Sequence, residues 1–594
     1  MKSKTSSCER TLFRKNLLRF APFWGLYTLC LLLGLLVLAG GDFRDNLTHN
    51  IASLLQMMSV INACSGLMMA MLLFGDLFDP RMCSGLHALP LRREKLFAVN
   101  VTLGLVFSLI PTAVFTLVSL PLLALARETD GAVTVGLMWF LGSNLQYLFC
   151  FGLGVLCAML TGNRLAMALI YGGLNGFSMG IYLLLDAFYT PLLPGVLTPT
   201  TLVRRLCPVL MGASWDYFRV ERSLYHMPDG LLNTHTSFFV GEGWGYLALC
   251  ALAGILLLGL ALYLYKKRKL ERAGDFLAFP RLRPLIPVLF ALAFGCLAVL
   301  VTGETNLFLE AVSIGVGWFV GTMLTEGTTR VFGKRQVVSL AIFLAVLGAS
   351  LGLTKLDPMG IARWVPEPQK VEYAMISDIY GYYMDDNTPY RLTEPEEIAD
   401  ILEVHRLALE AGPLTEEEIY PTVEDGEDAV PVPSVRVELS YGLKGGREAA
   451  RMYYIPLDNP AAPLVKQVTS RPVYALHMLD HFLRTSLNRV DGLQLNGVDL
   501  PEEYCTLEDF AALRDAILAD CAQGNMSPYP EFHAYPTLER DGEVYSLQLY
   551  FFCDDYWDTG FVEVYAESAH TLQWLEDRGM IDRVVGRSDT ASFS

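Results

Sequence analysis

The chain has 594 residues, of which 53% are hydrophobic and only 18% are charged, and its mean hydropathy is +0.36. This composition excludes an ordinary water-soluble globular protein and indicates a membrane protein. Residues 1–353 carry 27 Lys and Arg against 18 Asp and Glu, whereas residues 354–594 carry 18 against 44. We therefore predict a domain boundary near Leu353 and no nucleic-acid binding by the acidic half.

Residues 1–20 predict a cytoplasmic helix at the membrane interface. Leu12, Phe13, Asn16, Leu17 and Phe20 recur at helical spacing. The basic residues between them are Arg10, Arg14, Lys15 and Arg19. We expect the basic groups to face lipid phosphates and the apolar stripe to enter the acyl boundary, which makes membrane lipid a partner. The alternative is a basic flank that only sets the topology of the next segment.

About nine stretches before residue 354 approach the roughly 20 apolar residues that cross a bilayer. They are Ala21–Gly40, Ile51–Phe74, Phe97–Leu120, Gly136–Leu160, Leu165–Phe188, Trp244–Tyr265, Leu285–Thr302, Leu307–Leu324 and Val337–Leu353. Lys and Arg beside spans accumulate on the cytoplasmic side. With the N-terminus inside, 21 basic residues fall in inner segments and six in outer segments. The fold class is thus a polytopic α-helical plasma-membrane protein with residues 354–594 outside.

Polar side chains within spans tend to face other helices or a water-filled path, because lipid cannot satisfy them. In the second span Gln56, Ser59, Asn62 and Ser65 recur every third residue. The residues predicted to line a translocation path are Gln56, Ser59, Asn62, Asn175 and Ser178. The alternative is ordinary packing between helices of the same chain.

The fifth span contains a double GxxxG pattern. Gly172, Gly176 and Gly180 are four residues apart, and small residues at this spacing let two helix backbones approach closely. We expect this ridge to pack against another span or to form a seam with a partner subunit.

The segment between the second and third spans is too polar to enter lipid and too apolar for a featureless linker. It reads GDLFDPRMCSGLHALPLRREKLF from Gly75 to Phe97. It predicts a short amphipathic element pressed against a cytoplasmic partner. The alternative is a solvated loop whose arginines only follow the positive-inside rule.

Three stretches carry a resemblance to a known family. They are LFGDLFDPRMCSGLHALPLRREKLF, YLYKKRKLERAGDFLAFP (Tyr263–Pro280) and LDPMGIARWVPEPQKVEYAMIS (Leu356–Ser377). They resemble ABC-2 type transporter permeases of Gram-positive bacteria, of the YtrC-like and bacitracin-exporter-like kind. The resemblance implies a six-helix permease core over 21–265, to which this chain adds three transmembrane helices over 266–353 and an extracytoplasmic domain over 354–594.

The resemblance further implies a transport subunit that pairs with a second permease as a homodimer or heterodimer and is driven by a separate ABC ATPase. ATP and Mg would be bound by that partner, and this chain has no GxxxxGK[ST] motif and is predicted not to be an enzyme. The segment 189–243 stands where such permeases have exterior helices. The loop residues that the resemblance assigns to ATPase coupling are Asp79, Arg81, His87, Leu89, Pro90, Arg92, Arg93 and Glu94.

The family likeness favours export of a peptide-like or envelope-related molecule. One alternative is a membrane sensor or receptor whose exterior domain binds a ligand and signals without transport. Another is a membrane-bound enzyme of the cell envelope, for which no catalytic site can be assembled from the sequence. Co-purification with an ATPase would separate transport from both alternatives.

From Thr354 the pattern changes to that of a water-soluble α+β domain. Thr393–Glu396 forms a capping-box motif before a helix that ends at Gly412. Alternating Val435, Val437 and Leu439 predict a hairpin that returns over 452–455. Further elements are predicted as helices near 471–487, 506–521 and 568–578 and a second hairpin over 534–552. This order is compatible with an internal duplication, although no residues can be matched between the copies.

Metal and redox sites are not predicted. His477 and His481 are four apart on a predicted helix, but Met478 stands where a metalloprotease motif has Glu. We interpret the pair as surface or core residues. The chain has no CxxC pair, and the three cysteines of the acidic half leave room for one disulfide.

Overall fold

A computed structural model of the chain shows a mostly helical protein that divides into two compact units. The first unit comprises Met1–Tyr189 and Thr200–Gly352, and the second comprises Thr190–Pro199 and Leu353–Ser594. The structure describes residues 2–38, 43–87, 91–124, 129–198, 206–210, 217–226, 232–241, 243–302, 306–377, 391–411, 414, 432–444, 447–471, 490–501, 504, 506–526, 532, 536, 547–553 and 560–588.

The described part of the first unit contains eight helices that are long and apolar enough to cross a membrane, or nine if one bent pair counts as a span. In chain order its helices are α1 (Lys2–Arg19), α2 (Ala21–Leu38), α3 (Phe43–Leu73), α4 (Pro80–His87), α5 (Arg93–Ala124), α6 (Ala132–Leu160), α7 (Arg164–Asn175), α8 (Phe177–Leu184), α9 (Gly243–Lys267), α10 (Leu285–Thr302), α11 (Leu307–Glu326) and α12 (Lys334–Lys355).

Helix α1 lies where the interfacial helix of residues 1–20 was predicted. Arg10, Arg14, Lys15 and Arg19 are exposed. Phe13 and Leu17 are partly buried against the core cluster that contains Leu103 and Phe107 of α5. Part of the apolar stripe is therefore covered by the chain itself, and binding of its remaining surface to lipid stays a prediction.

Helix α6 lies at the centre of the first unit. It is the most buried of the candidate spans, and α3, α5 and α9 pack around it. By contrast, α12 has no buried residue among its described positions. The helices α10 and α11 form a second close pair. The first unit is thus a cluster around α6 with additional helices that are much more exposed.

The fifth predicted span is not one straight helix. The helices at Arg164–Asn175 and Phe177–Leu192 are bent by 64° relative to each other. Gly176, at the break, has φ −90° and ψ 9°, away from helical values. Glycine lowers the conformational cost of such a departure.

The segment before α9 contains a hairpin where exterior helices were expected. Strands β3 (Phe218–His226) and β4 (Leu232–Val240) pair antiparallel, and β1 (Thr129–Asp130) adds to β4 in parallel. The sequence between β3 and β4 contains Pro-Asp-Gly, a strong turn signal. Among the described residues 206–210, Leu206 is helical and Pro208–Leu210 form a short 3₁₀ turn.

The second unit contains two four-stranded sheets. The first has the order β2-β7-β6-β5, and the second has the order β11-β10-β8-β9. The elements of the first sheet are β2 (Val196–Leu197), β5 (Val371–Ser377), α13 (Pro395–Ala411), β6 (Ser434–Leu443), β7 (Arg447–Pro456) and α14 (Ala461–Thr469). Those of the second are β8 (Val490–Leu495), β9 (Val498–Asp499), α15 (Leu507–Ala522), β10 (Leu547–Cys553), β11 (Gly560–Val564), α16 (Ala569–Asp577) and α17 (Met580–Ser588).

The two sheets repeat one topology, strand, helix, hairpin, helix, with the same antiparallel pairing. Buried positions of α13 and α15 correspond at one constant separation along the chain, and so do buried positions of β6 and β10. The matched pairs are Ile398 with Phe510, Ile401 with Leu513, His405 with Ile517, Ala408 with Asp520, Val435 with Leu547 and Val437 with Leu549. This correspondence is what an internal duplication requires.

Strand β10 overlaps the end of the hairpin predicted over 534–552. It pairs with β8 on one side and with β11 on the other, so both of its edges are occupied. Most of the predicted hairpin, residues 533–535 and 537–546, lies outside the described residues. The predicted turn at Asp541-Gly542 and the helix over 472–487, with His477 and His481, lie outside the described residues. Cys521 is a buried free thiol, and burial raises its pKa to about 12.

Candidate functional site

The loop between α3 and α5 contains the short helix α4. Asp79 begins it, because its Oδ1 accepts hydrogen bonds from the backbone N–H groups of Arg81, at 2.7 Å, and Met82, at 3.2 Å. Pro80 occupies the first helical position, where no N–H is needed. Cys83 is buried in the core, whereas Arg81 and Met82 are exposed. The loop therefore contains a short amphipathic helix, with one face buried in the core and the other exposed.

Two of the residues assigned to ATPase coupling are bound within the chain. Arg93 begins α5, and its guanidinium donates to the carbonyl oxygens of Tyr265 and Arg268, each at 3.2 Å. These carbonyls lie at the end of α9, where helices lack intrahelical partners and carry partial negative charge. Glu94 forms an ion pair with Lys266 at 2.6 Å. Arg93 and Glu94 thus join α5 to α9.

The remaining coupling residues divide into exposed and undescribed ones. Asp79, Arg81 and Arg92 are exposed. His87 ends α4, but its side chain lies outside the described part, as do Leu89 and Pro90. Among the described residues of the segment that the sequence singled out, Arg81, Arg92 and Lys95 present exposed cationic groups.

Arg268 is a functional candidate that the sequence did not reveal. Its side chain is only 3% exposed. One guanidinium nitrogen donates to the carbonyl oxygen of Ala158 at 2.6 Å, near the end of α6, and the other donates to Leu77 at 3.0 Å, just before α4. Burial lowers the pKa of Arg268 to about 10. In the sequence it is one of four consecutive basic residues, which suggested only a topology signal.

The segment after α9 closes over the end of α6. Thr161 and Leu277 form an isolated antiparallel β-bridge, and the N–H of Ala278 donates to the carbonyl oxygen of Leu160 at 2.8 Å. The described residues within 75–96, 158–164 and 266–283 therefore form one layer at one end of the first unit, and we call these three segments the loop layer. It carries 12 Lys and Arg against five Asp and Glu, so it favours an acidic or phosphate-bearing partner.

The predicted polar stripe on α3 is used for packing against the chain itself. Ser59 donates to the carbonyl oxygen of Val209 at 2.9 Å. Asn62 donates to the carbonyl oxygen of Ser143 and to the Oε1 of Gln146, both at 3.1 Å. Gln56 is exposed on a different face. The stripe therefore matches the alternative interpretation, helix packing, for Ser59 and Asn62.

A second polar contact was missed. Asn144 of α6 lies between Ser108 and Thr112 of α5. Its Oδ1 accepts a hydrogen bond from the Ser108 hydroxyl, and its amide nitrogen donates to the Thr112 hydroxyl oxygen, each at 2.9 Å. Ser108 and Thr112 are four residues apart in a continuous apolar sequence, which is the only signal that could have identified them. Polar groups of α6 thus bond to both α3 and α5.

The two path residues at the bend keep unused hydrogen-bonding capacity. Asn175 is 1% exposed, and its amide nitrogen donates to the carbonyl oxygen of Tyr171 at 3.0 Å. In the described part of the chain, the Oδ1 of Asn175 and the Oγ of Ser178 are buried without a hydrogen-bond partner. Such groups are costly in a membrane interior. The Oδ1 of Asn62 is also buried without a partner in the described part of the chain, so the predicted polar path stays a prediction for all three residues.

The predicted glycine ridge makes no close contact within the described chain. A Cβ built on Gly172 or Gly180 would meet no described atom within 4 Å, and one on Gly176 would meet only the carbonyl oxygen of Gly172. The ridge is also broken by the bend. Within the described part of the chain these glycines therefore contact no other helix, and a subunit seam remains a prediction.

Other glycines make the close contacts. A Cβ on Gly66 of α3 would lie 2.9 Å from the backbone of α6 at Cys150. One on Gly321 of α11 would lie 2.7 Å from the Cα of Pro287 in α10. Gly317 and Gly321 form a GxxxG pattern that the sequence analysis overlooked.

The second unit has a buried polar cluster around His405. Its side chain is fully buried, with Nε2 3.0 Å from the hydroxyl of Tyr453 and Nδ1 3.1 Å from that of Tyr441. Burial, aided by the charge of Arg451, lowers the pKa of His405 to about 4. The second repeat has Ile517 at the corresponding position. Among the residues described, no group of three His, Cys, Asp or Glu could hold a metal ion.

No family model, no curated protein and no solved structure matches this chain. Its function has to be argued from its own residues. The loop layer offers the strongest basis, because it combines an exposed amphipathic helix, an excess of positive charge and direct bonds to the ends of α6 and α9.

Proposed function

We propose that this chain is the membrane permease subunit of an ABC transporter, driven by a separate ATPase that binds ATP and Mg²⁺. The observation that carries the proposal is α4. Its exposed face presents Arg81 and Met82, and its buried face is fixed by Cys83 in the core. A cationic and apolar helix of this kind suits a groove with acidic and apolar walls.

The proposed topology places residues 354–594 outside the cell. Arg268, just after α9, bonds to Leu77 and Ala158, so α9 ends at the loop layer. Trp244, at the start of α9, lies near Gly142 in the first half of α6, toward the other end. The chain between Arg164 and Gly243 therefore has to traverse the unit, which supports counting the bent pair as a span.

Nine spans and a cytoplasmic N-terminus put the acidic half on the exterior side. The excess of Lys and Arg in the loop layer supports the same orientation, because such residues are retained inside. The resemblance to ABC-2 permeases supports export of a peptide-like or envelope-related molecule. It also supports pairing with a second permease as a homodimer or heterodimer.

The test is co-purification from native membranes. A tagged chain is expected to elute with an ATPase that carries a P-loop and hydrolyses ATP in a vanadate-sensitive manner. The double variant Arg81→Glu, Met82→Glu should release that ATPase, because it places negative charge on the docking face. Arg330→Glu, another exposed charge reversal, is the matched control and should retain it. A stable, correctly inserted chain that binds no ATPase would favour the sensor or receptor.

A further inference from the structure

Arg268 joins three separate elements through a buried charge. Its two terminal nitrogens reach the carbonyl oxygens of Leu77, before α4, and of Ala158 and Met159, in the last turn of α6. The residue itself directly follows α9. In the described part of the chain these backbone carbonyls are its hydrogen-bond partners. Arg268 is therefore the point where α4, α6 and α9 meet.

A buried cation is a poor way to gain stability. Removing a guanidinium from water costs several kcal/mol, and apolar side chains of similar size often stabilise a core equally well. The carbonyls at the end of α6 offset part of this cost, because a helix C-terminus carries partial negative charge. What arginine adds is geometry, since its rigid planar fork holds donors on separate nitrogens that reach two backbone segments, whereas lysine offers one compact charge on a flexible stem.

The helices α3, α6 and α9 are packed closely beside Arg268. A Cβ on Gly152 of α6 would lie 2.7 Å from the carbonyl oxygen of Gly254 in α9, so these helices touch backbone to backbone. Gly66 brings α3 equally close to α6. Interfaces packed this closely do not deform gradually, so a displacement at one end of α6 is carried along the group.

We infer that Arg268 is the positioning residue that converts a displacement of α4 into a displacement of α6 and α9. The inference rests on the proposed function, in which an ATPase pushes α4. When α4 moves, the carbonyl of Leu77 moves with it, and the guanidinium transfers that movement to the end of α6. Arg93 supports the link by joining α5 to the last carbonyls of α9.

The experiment compares Arg268→Met and Arg268→Lys with Lys269→Met, a matched change at the neighbouring exposed position. The full-length chain is purified with its ATPase and reconstituted. Both Arg268 variants are expected to retain the ATPase within about twofold, whereas chain-dependent stimulation of ATP hydrolysis falls at least about tenfold, the usual range of coupling between sites. The Lys269→Met variant should behave like the unmodified chain.

A second measurement does not depend on the ATPase. Cys83 is 2% exposed on α4, so its reaction with a membrane-permeant maleimide, followed by mass spectrometry of its peptide, reports release of α4. Both Arg268 variants should react faster than Lys269→Met. The inference would be overturned if the Arg268 variants label Cys83 at an unchanged rate or stimulate ATP hydrolysis fully. It would also be overturned if they lose ATPase binding and stimulation to the same extent. Absence of any ATPase on the unmodified chain would instead overturn the proposed function, and the labelling would still test the link.

Discussion

Gly152 and Gly254 face each other across the closest contact between α6 and α9. A Cβ on Gly152 would lie 2.7 Å from the carbonyl oxygen of Gly254, and one on Gly254 would lie 2.8 Å from the carbonyl oxygen of Leu148. In a membrane, van der Waals contact supplies much of the attraction between helices, so small residues at such points are decisive.

Replacing Gly254 by Leu should therefore destabilise the first unit. Forcing a side chain into a closely packed contact costs about 1–3 kcal/mol. Gly259→Leu is the matched control on the same helix, since a Cβ there meets no described atom within 4 Å. Thermal unfolding in detergent, followed by size-exclusion chromatography, should show a lower midpoint for Gly254→Leu only. Equal midpoints would mean that the two helices can separate without loss.

Gly172→Leu tests the predicted subunit seam. Because a Cβ at Gly172 is unobstructed in the described chain, the variant should insert and fold normally. If a second permease packs on this surface, the larger side chain should shift the population from dimer to monomer in native mass spectrometry. Gly245→Leu, an equally open position on α9, serves as the control. An unchanged dimer fraction would place Gly172 against lipid.

Arg92 and Arg93 should respond differently to charge reversal. Arg93→Glu replaces a donor to the end of α9 with a carboxylate that its carbonyls repel, and loss of such a charged hydrogen bond costs about 1.5–3 kcal/mol. Arg92 is exposed, so Arg92→Glu should leave the unfolding midpoint unchanged and affect only ATPase binding. Similar midpoints for the two variants would show that the bonds of Arg93 carry no stability.

Acid should loosen the first repeat of the second unit. The pKa of His405 is lowered from 6.5 to about 4 in the folded state, so the unfolded state binds more protons between these values. The contribution of the buried, neutral His405 to the free energy of unfolding is fully present above pH 6.5. It declines as the pH falls to about 4, by up to about 3 kcal/mol. Hydrogen-exchange protection factors over α13 and β6 in the full chain, corrected for the slower intrinsic exchange in acid, should fall at pH 5, and less so in His405→Gln. An equal fall of the protection factors in both would assign the effect elsewhere.

The topology can be tested on intact protoplasts. External protease is expected to release fragments of residues 354–594 while sparing the loop at 75–96, because the proposed topology has nine spans between a cytoplasmic N-terminus and the acidic half. Protease added after permeabilisation should cut both regions and is the control. Complete protection of the acidic half would mean an even number of spans.

The sequence by itself was sufficient for features that depend on neighbouring residues. The long apolar runs predict candidate spans, because the length of a helix that crosses a bilayer depends only on its own residues. The segment from Gly75 to Phe97 similarly predicts a short amphipathic element, and α4 is present there. The helix after Thr393 and the strands over 435–455 follow from local period and capping, and both are present.

Only the tertiary structure decided which surfaces meet. A pattern of small or polar residues shows that a helix face needs a packing or hydrogen-bonding partner, but it does not identify that partner. The ridge at Gly172 is open whereas Gly152 is closely packed, and Asn62 bonds to α6. Arg268 looks like its basic neighbours in the sequence, yet it is buried between Leu77 and Ala158. These outcomes depend on partners more than 80 residues away along the chain, and local chemistry alone does not select them.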